Sequence, residues 1–127
     1  LHPDYFSQAN DNTGVIVQIE TAESLANARN IIATPGLSAV FFGPADMAAS
    51  LGHLGNSGHP DVQGAAETIL RICKEKGVPC GTLTNSFENA QKRLDQGFNF
   101  VFPDYDENIR HRAIEETAIR FLGYMPK

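Results

Sequence analysis

Of fifteen acidic residues in the chain, Glu20 is the one that lies inside an apolar, β-branched run, Val15 to Glu20. The two-residue period of a strand sends Gln18 and Glu20 to one side, with Ile16, and Val15, Val17 and Ile19 to the other. A carboxylate in such a run needs a partner, because an unpaired buried charge is costly or titrates away. A strand-end Glu that reaches solvent or caps the next helix is the plainer alternative. The next apolar run, Leu37 to Phe42, breaks at Gly43-Pro44-Ala45-Asp46. Gly and Pro shape a turn, and the amides after them open a short helix, which makes a small site for a carboxylate or phosphate. Asp46 beside it suits two roles, helix N-cap or metal ligand. Taken together, Glu20 and Asp46 offer hard oxygen ligands of the kind that hold Mg²⁺ or Mn²⁺ and leave coordination positions open.

Other reactive side chains have structural readings. Lys74, Lys76, Lys92 and Lys127 fall in helical patterns or at the chain end, whereas a Schiff-base mechanism needs a desolvated lysine on a strand. His53 and His59 flank a glycine-rich loop but lack the second clustered pair of a zinc site. His111 sits in a charged helical stretch and is expected to be solvated. Cys73 and Cys80 are read as small buried hydrophobes in a reducing compartment rather than as a disulfide scaffold.

The elements that must position these residues alternate. Thr21 caps a helical pattern with Leu25, Ala28, Ile31 and Ile32 on one side, stopped at Pro35-Gly36. After Leu37 to Phe42 comes a short Ala-rich helix, Asp46 to Leu51. Pro60 opens an amphipathic helix that carries Val62, Ala65, Ala66, Ile69, Ile72 and Cys73 and ends at Gly77. Cys80 to Thr84 is a third strand, and Ser86 caps a helix to Gly97. Phe98 to Phe102 is a fourth strand, and Asp106 begins a last helix with Ile109, Ala113, Thr117, Phe121 and Leu122 along one face. Strand and helix alternate four times, which predicts parallel βα units with right-handed crossovers, half of an eight-stranded (β/α) barrel of about 250 residues. A doubly wound sheet would want a G-x-G-x-x-G turn after the first strand, and none is present. The barrel-facing side is expected to carry Ile16, Phe41 or Phe42, and Leu83.

The chain has 127 residues, 42% hydrophobic and 20% charged, with a net charge of −5 and a pI near 5.2. That supports one domain with a core, here a single partial domain over residues 1–127, and disfavours a nucleic-acid partner. No apolar run approaches the roughly 18 to 20 residues of a membrane helix, and the opening Leu-His-Pro-Asp-Tyr has no signal core. The expectation is a cytoplasmic protein without a membrane partner. The start at Leu1 suggests a fragment of a longer chain.

The segments Asn10-Asp-Asn, Val17-Gln-Ile-Glu-Thr-Ala, Gly43-Pro-Ala-Asp-Met, Ser50-Leu-Gly-His-Leu-Gly-Asn, Gly58-His-Pro and Gly97-Phe closely resemble the HpcH/HpaI family of class II pyruvate aldolases. The likeness runs over nearly the whole chain, and Q-x-E followed by G-P-A-D at this separation is its most specific part. The resemblance implies the C-terminal half of a TIM barrel of the phosphoenolpyruvate/pyruvate-binding type. It further implies that Glu20 and Asp46 bind a divalent metal, Mg²⁺, Mn²⁺ or Co²⁺. Gln18 would contact a bound 2-oxo acid, the amides near Ala45 would hold its carboxylate, and Leu83 would line the pocket.

The implied reaction is reversible cleavage of a 4-hydroxy-2-oxo acid to pyruvate and an aldehyde, in homo-oligomers of complete barrels, often hexameric. Family members bring a catalytic His with a nearby Asp and an enolate-stabilising Arg on an N-terminal half. That half is missing from this sequence, so no catalytic residue is assigned within it. Pro103-Asp104 also replaces the small residues, such as Gly-Ser, usual after the fourth strand. The competing reading is a non-catalytic half barrel or truncated paralogue that acts only by assembling with a partner.

Overall fold

A computed structural model describes residues 3–123. After a short helix, α1 (Tyr5–Gln8), the chain runs β1 (Ile16–Ile19), α2 (Ala22–Ala26), α3 (Ala28–Ile32), β2 (Ala39–Phe42), α4 (Pro44–Ser50), α5 (Pro60–Lys76), β3 (Cys80–Leu83), α6 (Phe87–Gln96), β4 (Phe100–Phe102) and α7 (Asp106–Leu122). The four strands form one parallel sheet in the order β1-β2-β3-β4, so each helical crossover returns to the neighbouring position. This is half of an α/β barrel. Among the described residues no helix is long and apolar enough to cross a membrane.

Register assigns the two faces. Ile19, Val40, Phe42, Cys80 and Thr82 turn to the helices and are fully buried with Ile32, Met47, Val62, Ala66 and Ile69. Thr82 is the polar member of this core, and its hydroxyl donates to the Phe42 carbonyl at 3.0 Å, so that hydroxyl is not left unpaired by burial. On the opposite face Gln18, Phe41, Gly81 and Phe100 share one level. Phe41 therefore faces the barrel interior and Phe42 the helices, which settles the alternative left by the sequence. Gly81 allows the Phe100 ring to lie across its strand: a β-carbon there would overlap that ring. The ring thereby approaches Phe41 to 6.2 Å between centroids, and Phe102 approaches Phe41 to 5.7 Å. This interior face has no covering layer within the described residues, and Ile16 and Phe102 are about half exposed.

Several boundaries differ from those expected. The helix after Thr21 is two helices broken at Asn27, which serves as C-cap of α2 and precedes α3, with its side-chain oxygen accepting from the Asn30 amide at 2.6 Å. The strand expected from Phe98 begins at Phe100, because Phe98 turns into the core and the Asn99 side chain instead accepts from the Cys80 N–H at 2.8 Å. Helix α7 spans the expected residues, yet none of them is buried: Ile109, Ile114, Ile119 and Phe121 remain exposed because no other described element covers them.

Candidate active site at the strand ends

Gln18 and Glu20, expected on one side of the strand, touch each other. Gln18 Nε2 donates to Glu20 Oε2 at 2.8 Å, with Gln18 exposed and Glu20 half-buried. Glu20 does not cap the following helix. That role belongs to Thr21 and Ser24, whose side chains and backbone amides exchange bonds in a capping box. The Glu20 carboxylate instead lies over Gly43, where an added β-carbon would meet Oε2 at 2.5 Å. Glycine is thus required at the end of β2 by close approach, since its φ of −93° is open to any residue.

Gly43 is also the N-cap of α4, which starts at Pro44 and not at Asp46 as expected. Proline is favoured at a first helical position, having no N–H to leave unpaired. Asp46 is consequently in the first turn, exposed, and not an N-cap. Among the described residues it makes no side-chain hydrogen bond or ion pair. The structure thus brings Gln18 and Glu20 into contact and seats Glu20 on the residue that starts the helix bearing Asp46. Two carboxylates, Glu20 half-buried and Asp46 exposed, stand at the C-terminal ends of β1 and β2. That donor chemistry fits a hard divalent cation that keeps waters or takes substrate oxygens, and Glu20 and Asp46 are the residues that would hold it.

Ala45 and Leu83 line one cavity of about 390 Å³ next to these residues, together with Pro44, Thr84, Lys92 and Arg93. Gln18, Glu20 and Asp46 are not on its wall. Sequence reading missed the polar side of this cavity. Arg93 is half-buried over the Phe98 ring and donates to Gln63 Oε1 at 2.8 Å and Gln96 Oε1 at 3.0 Å, and burial lowers its pKa. In the sequence Arg93 looks like an ordinary charge on a helix; its bond to Gln63 of α5 draws it inward, while Lys92 stays exposed at the cavity rim.

Asp104, at the position that departs from the family pattern, has a structural task. It accepts from the Tyr105 N–H at 2.9 Å and the Asn108 amide at 2.7 Å, and pairs with Arg112, tying β4 to the first turns of α7.

Residues 2–109 match the HpcH/HpaI aldolase/citrate lyase family model. The 5-keto-4-deoxy-D-glucarate aldolase of Citrobacter koseri is 40% identical over 119 residues, which is 94% of this chain and 46% of that protein. An HpcH/HpaI aldolase/citrate lyase family protein from Burkholderia cenocepacia superposes with a TM-score of 0.86 at 36% identity, over 95% of this chain and 47% of that one. A citrate lyase beta subunit from M. tuberculosis, in complex with oxaloacetate and magnesium, shares the fold at 21% identity and TM-score 0.62, over 78% of this chain and 50% of its own. The chain spans about half the length of the curated relatives it matches. With motif, sheet order and superposition in agreement, the chain belongs to the HpcH/HpaI aldolase/citrate lyase family.

Proposed function

We propose that these residues form the metal- and pyruvate-binding half of a class II aldolase that reversibly cleaves a 4-hydroxy-2-oxo acid to pyruvate and an aldehyde. The observation that carries this reading is the Gln18–Glu20 pair seated on Gly43 at the start of the helix that bears Asp46. The relative's name supports the substrate class. Counted from its keto end, 5-keto-4-deoxy-D-glucarate is itself a 4-hydroxy-2-oxo acid. The magnesium and oxaloacetate named for the M. tuberculosis protein, which shares the fold, support a divalent metal and a 2-oxo acid as the ligand classes.

A divalent cation supplies Lewis-acid stabilisation of the charge that develops on the 2-oxo oxygen. Glu20 and Asp46 would hold it, its positive charge offsetting the repulsion between the two carboxylates. Gln18 fixes the Glu20 carboxylate by donating to Oε2, and in this reading its amide orients the 2-oxo acid. The free N–H groups at the start of α4, near Ala45, receive the substrate carboxylate, and Leu83 closes the apolar side. Proton transfer requires a base from beyond these residues, so turnover belongs to an assembly with a complementary half barrel, in a homo-oligomer of complete barrels.

The test is pyruvate release from a 4-hydroxy-2-oxo acid by the chain combined with the complementary half, with and without chelator. Release that needs Mg²⁺ or Mn²⁺ and is lost in Asp46→Asn supports the assignment. Metal-independent release at the same rate refutes it.

A further inference from the structure

Outside the strand-end site, the loop between α4 and α5 gathers a different donor set. Gly52 and Gly55 have φ of +83° and +78°, the left-handed region that side-chain-bearing residues rarely enter, and they let the loop fold back twice. The turns are held by the His53 N–H on Ala48 O at 2.7 Å, the Asn56 N–H on His53 O at 2.9 Å and the His59 N–H on Asn56 O at 3.1 Å. The result is that His53 and His59 stack, with ring centroids 3.4 Å apart and planes inclined by 16°. Pro60 then starts α5, which puts Asp61 in its first turn, facing both rings.

His53 Nε2 lies 2.9 Å from Asp61 Oδ2, and His59 Nδ1 lies 3.5 Å from the same oxygen. The three donor atoms fall within 4.8 Å of one another. Around a four-coordinate ion with bonds of about 2.0–2.2 Å, neighbouring ligand atoms sit roughly 3.2–3.6 Å apart, and an imidazole binds in the plane of its ring, so closing on one ion requires the two rings to turn out of their stack while Asp61 stays between them. The Asp61 N–H donates to His59 Nδ1 at 3.2 Å, which shows that this nitrogen carries a lone pair, the form a metal requires. An arriving ion takes over that lone pair. The imidazoles are about a quarter and a third exposed and Asp61 is open to solvent, leaving a route in and room for water.

We infer that His53, His59 and Asp61 form a second metal site, which takes one imidazole-preferring ion of the Zn²⁺ class and not Mg²⁺. Two nitrogens and one carboxylate select Zn²⁺, Ni²⁺ or Co²⁺, whereas the strand-end carboxylates select hard ions. The ion would fasten the loop at both ends of its fold-back. That matters for the neighbouring cavity, because Ser57 and Gly58 of this loop form part of its wall beside Ala45, and Gln63 Nε2 holds the Ser57 carbonyl at 2.7 Å. Sequence spacing alone argued against zinc, since only two ligands were visible; the third arrives with the start of α5.

The test is Zn²⁺ titration by calorimetry in excess Mg²⁺, with imidazole resonances followed by NMR, on the 127-residue chain carrying Phe102→Lys, which lies on the sheet face away from this loop and limits self-association. One equivalent of Zn²⁺ should bind, shifting the His53 and His59 signals and leaving His111 unmoved. His59→Asn keeps a good N-cap for α5, so the fold is preserved while a ligand is lost; it and His53→Gln should each weaken Zn²⁺ by about tenfold or more. Glu20→Gln with Asp46→Asn should leave Zn²⁺ uptake unchanged, which separates this site from the proposed aldolase metal. Absence of Zn²⁺ uptake, uptake insensitive to both histidine variants, or uptake lost with Glu20 and Asp46 would each overturn the inference.

Discussion

The carboxylate of Glu20 rests on the α-carbon side of Gly43, so that a methyl group at position 43 would overlap both Glu20 Oε2, at 2.5 Å, and Glu20 Cβ, at 2.8 Å. The backbone at Gly43 tolerates alanine, so the effect of Gly43→Ala is confined to displacing Glu20. We expect a loss of about 1–3 kcal/mol in stability from overpacking, read from urea denaturation. Mn²⁺ affinity should fall by about tenfold or more, read by electron paramagnetic resonance, because a metal ligand displaced by part of an ångström loses its geometry.

Asp46→Asn and Gln18→Ala should separate holding the metal from orienting the substrate. Among the described residues Asp46 has no side-chain bond to lose, so its asparagine variant should keep the melting temperature while Mn²⁺ binding weakens by about tenfold or more. Gln18→Ala should keep the metal and, in the assembly with a complementary half, lose exchange of pyruvate methyl protons in deuterium oxide. Normal exchange in Gln18→Ala would remove the orienting role.

Asp104 gives the start of α7 a defined pH dependence. The Asn108 amide above all, with Arg112 and the Tyr105 N–H, holds its carboxyl below the usual carboxylate range, against a smaller opposing effect of desolvation. A depressed folded-state pKa contributes stability that is fully present above the ordinary value near 3.9 and is lost as pH falls through the lowered one. Amide exchange at Asn108 and Ile109 should therefore be flat from neutral pH down to about pH 4 and speed up below it, after correction for intrinsic rates. Asp104→Asn should raise exchange at neutral pH and abolish the acid step.

The uncovered interior face should make the 127 residues on their own self-associate. Ile16, Phe41, Phe100 and Phe102 form an apolar surface flanked by two unpaired strand edges, β1 and β4. Light scattering should report oligomers or aggregates, reduced in Phe102→Lys and by addition of the complementary half. A monodisperse wild-type monomer that turns over a 4-hydroxy-2-oxo acid at an ordinary rate would contradict both this expectation and the assignment of the base elsewhere.

What was legible in the sequence is what short-range rules govern. The strand period placed Gln18 beside Glu20, Thr21 and Ser86 announced their helices, and Gly77 and Gly97 ended theirs in left-handed conformations. The helix–strand alternation was enough for the parallel order of the sheet. Features set by packing were not visible. Nothing local distinguishes Phe41 from Phe42 as the interior residue, because both lie in a run apolar throughout, and only register decides. The exposure of α7 is equally hidden, since an apolar stripe looks the same whether or not something covers it. At the candidate site, the resemblance named Ala45 and Leu83, but Arg93 and Asp61 acquire their surroundings only when distant elements meet.

Gly81 and Phe100 occupy what amounts to one shared allotment of space, since a ring rooted in β4 fills the place that a side chain on β3 would take. Changes at the two positions should therefore not combine independently. Gly81→Ala alone forces the ring aside and is damaging, and Phe100→Leu alone uncovers the Gly81 strand and loosens the contact with Phe41; the double variant refills that space and should be more stable than the sum of the two losses allows. Variation at either site is thereby conditional on the other, so the interior of this half barrel changes in matched pairs and not residue by residue.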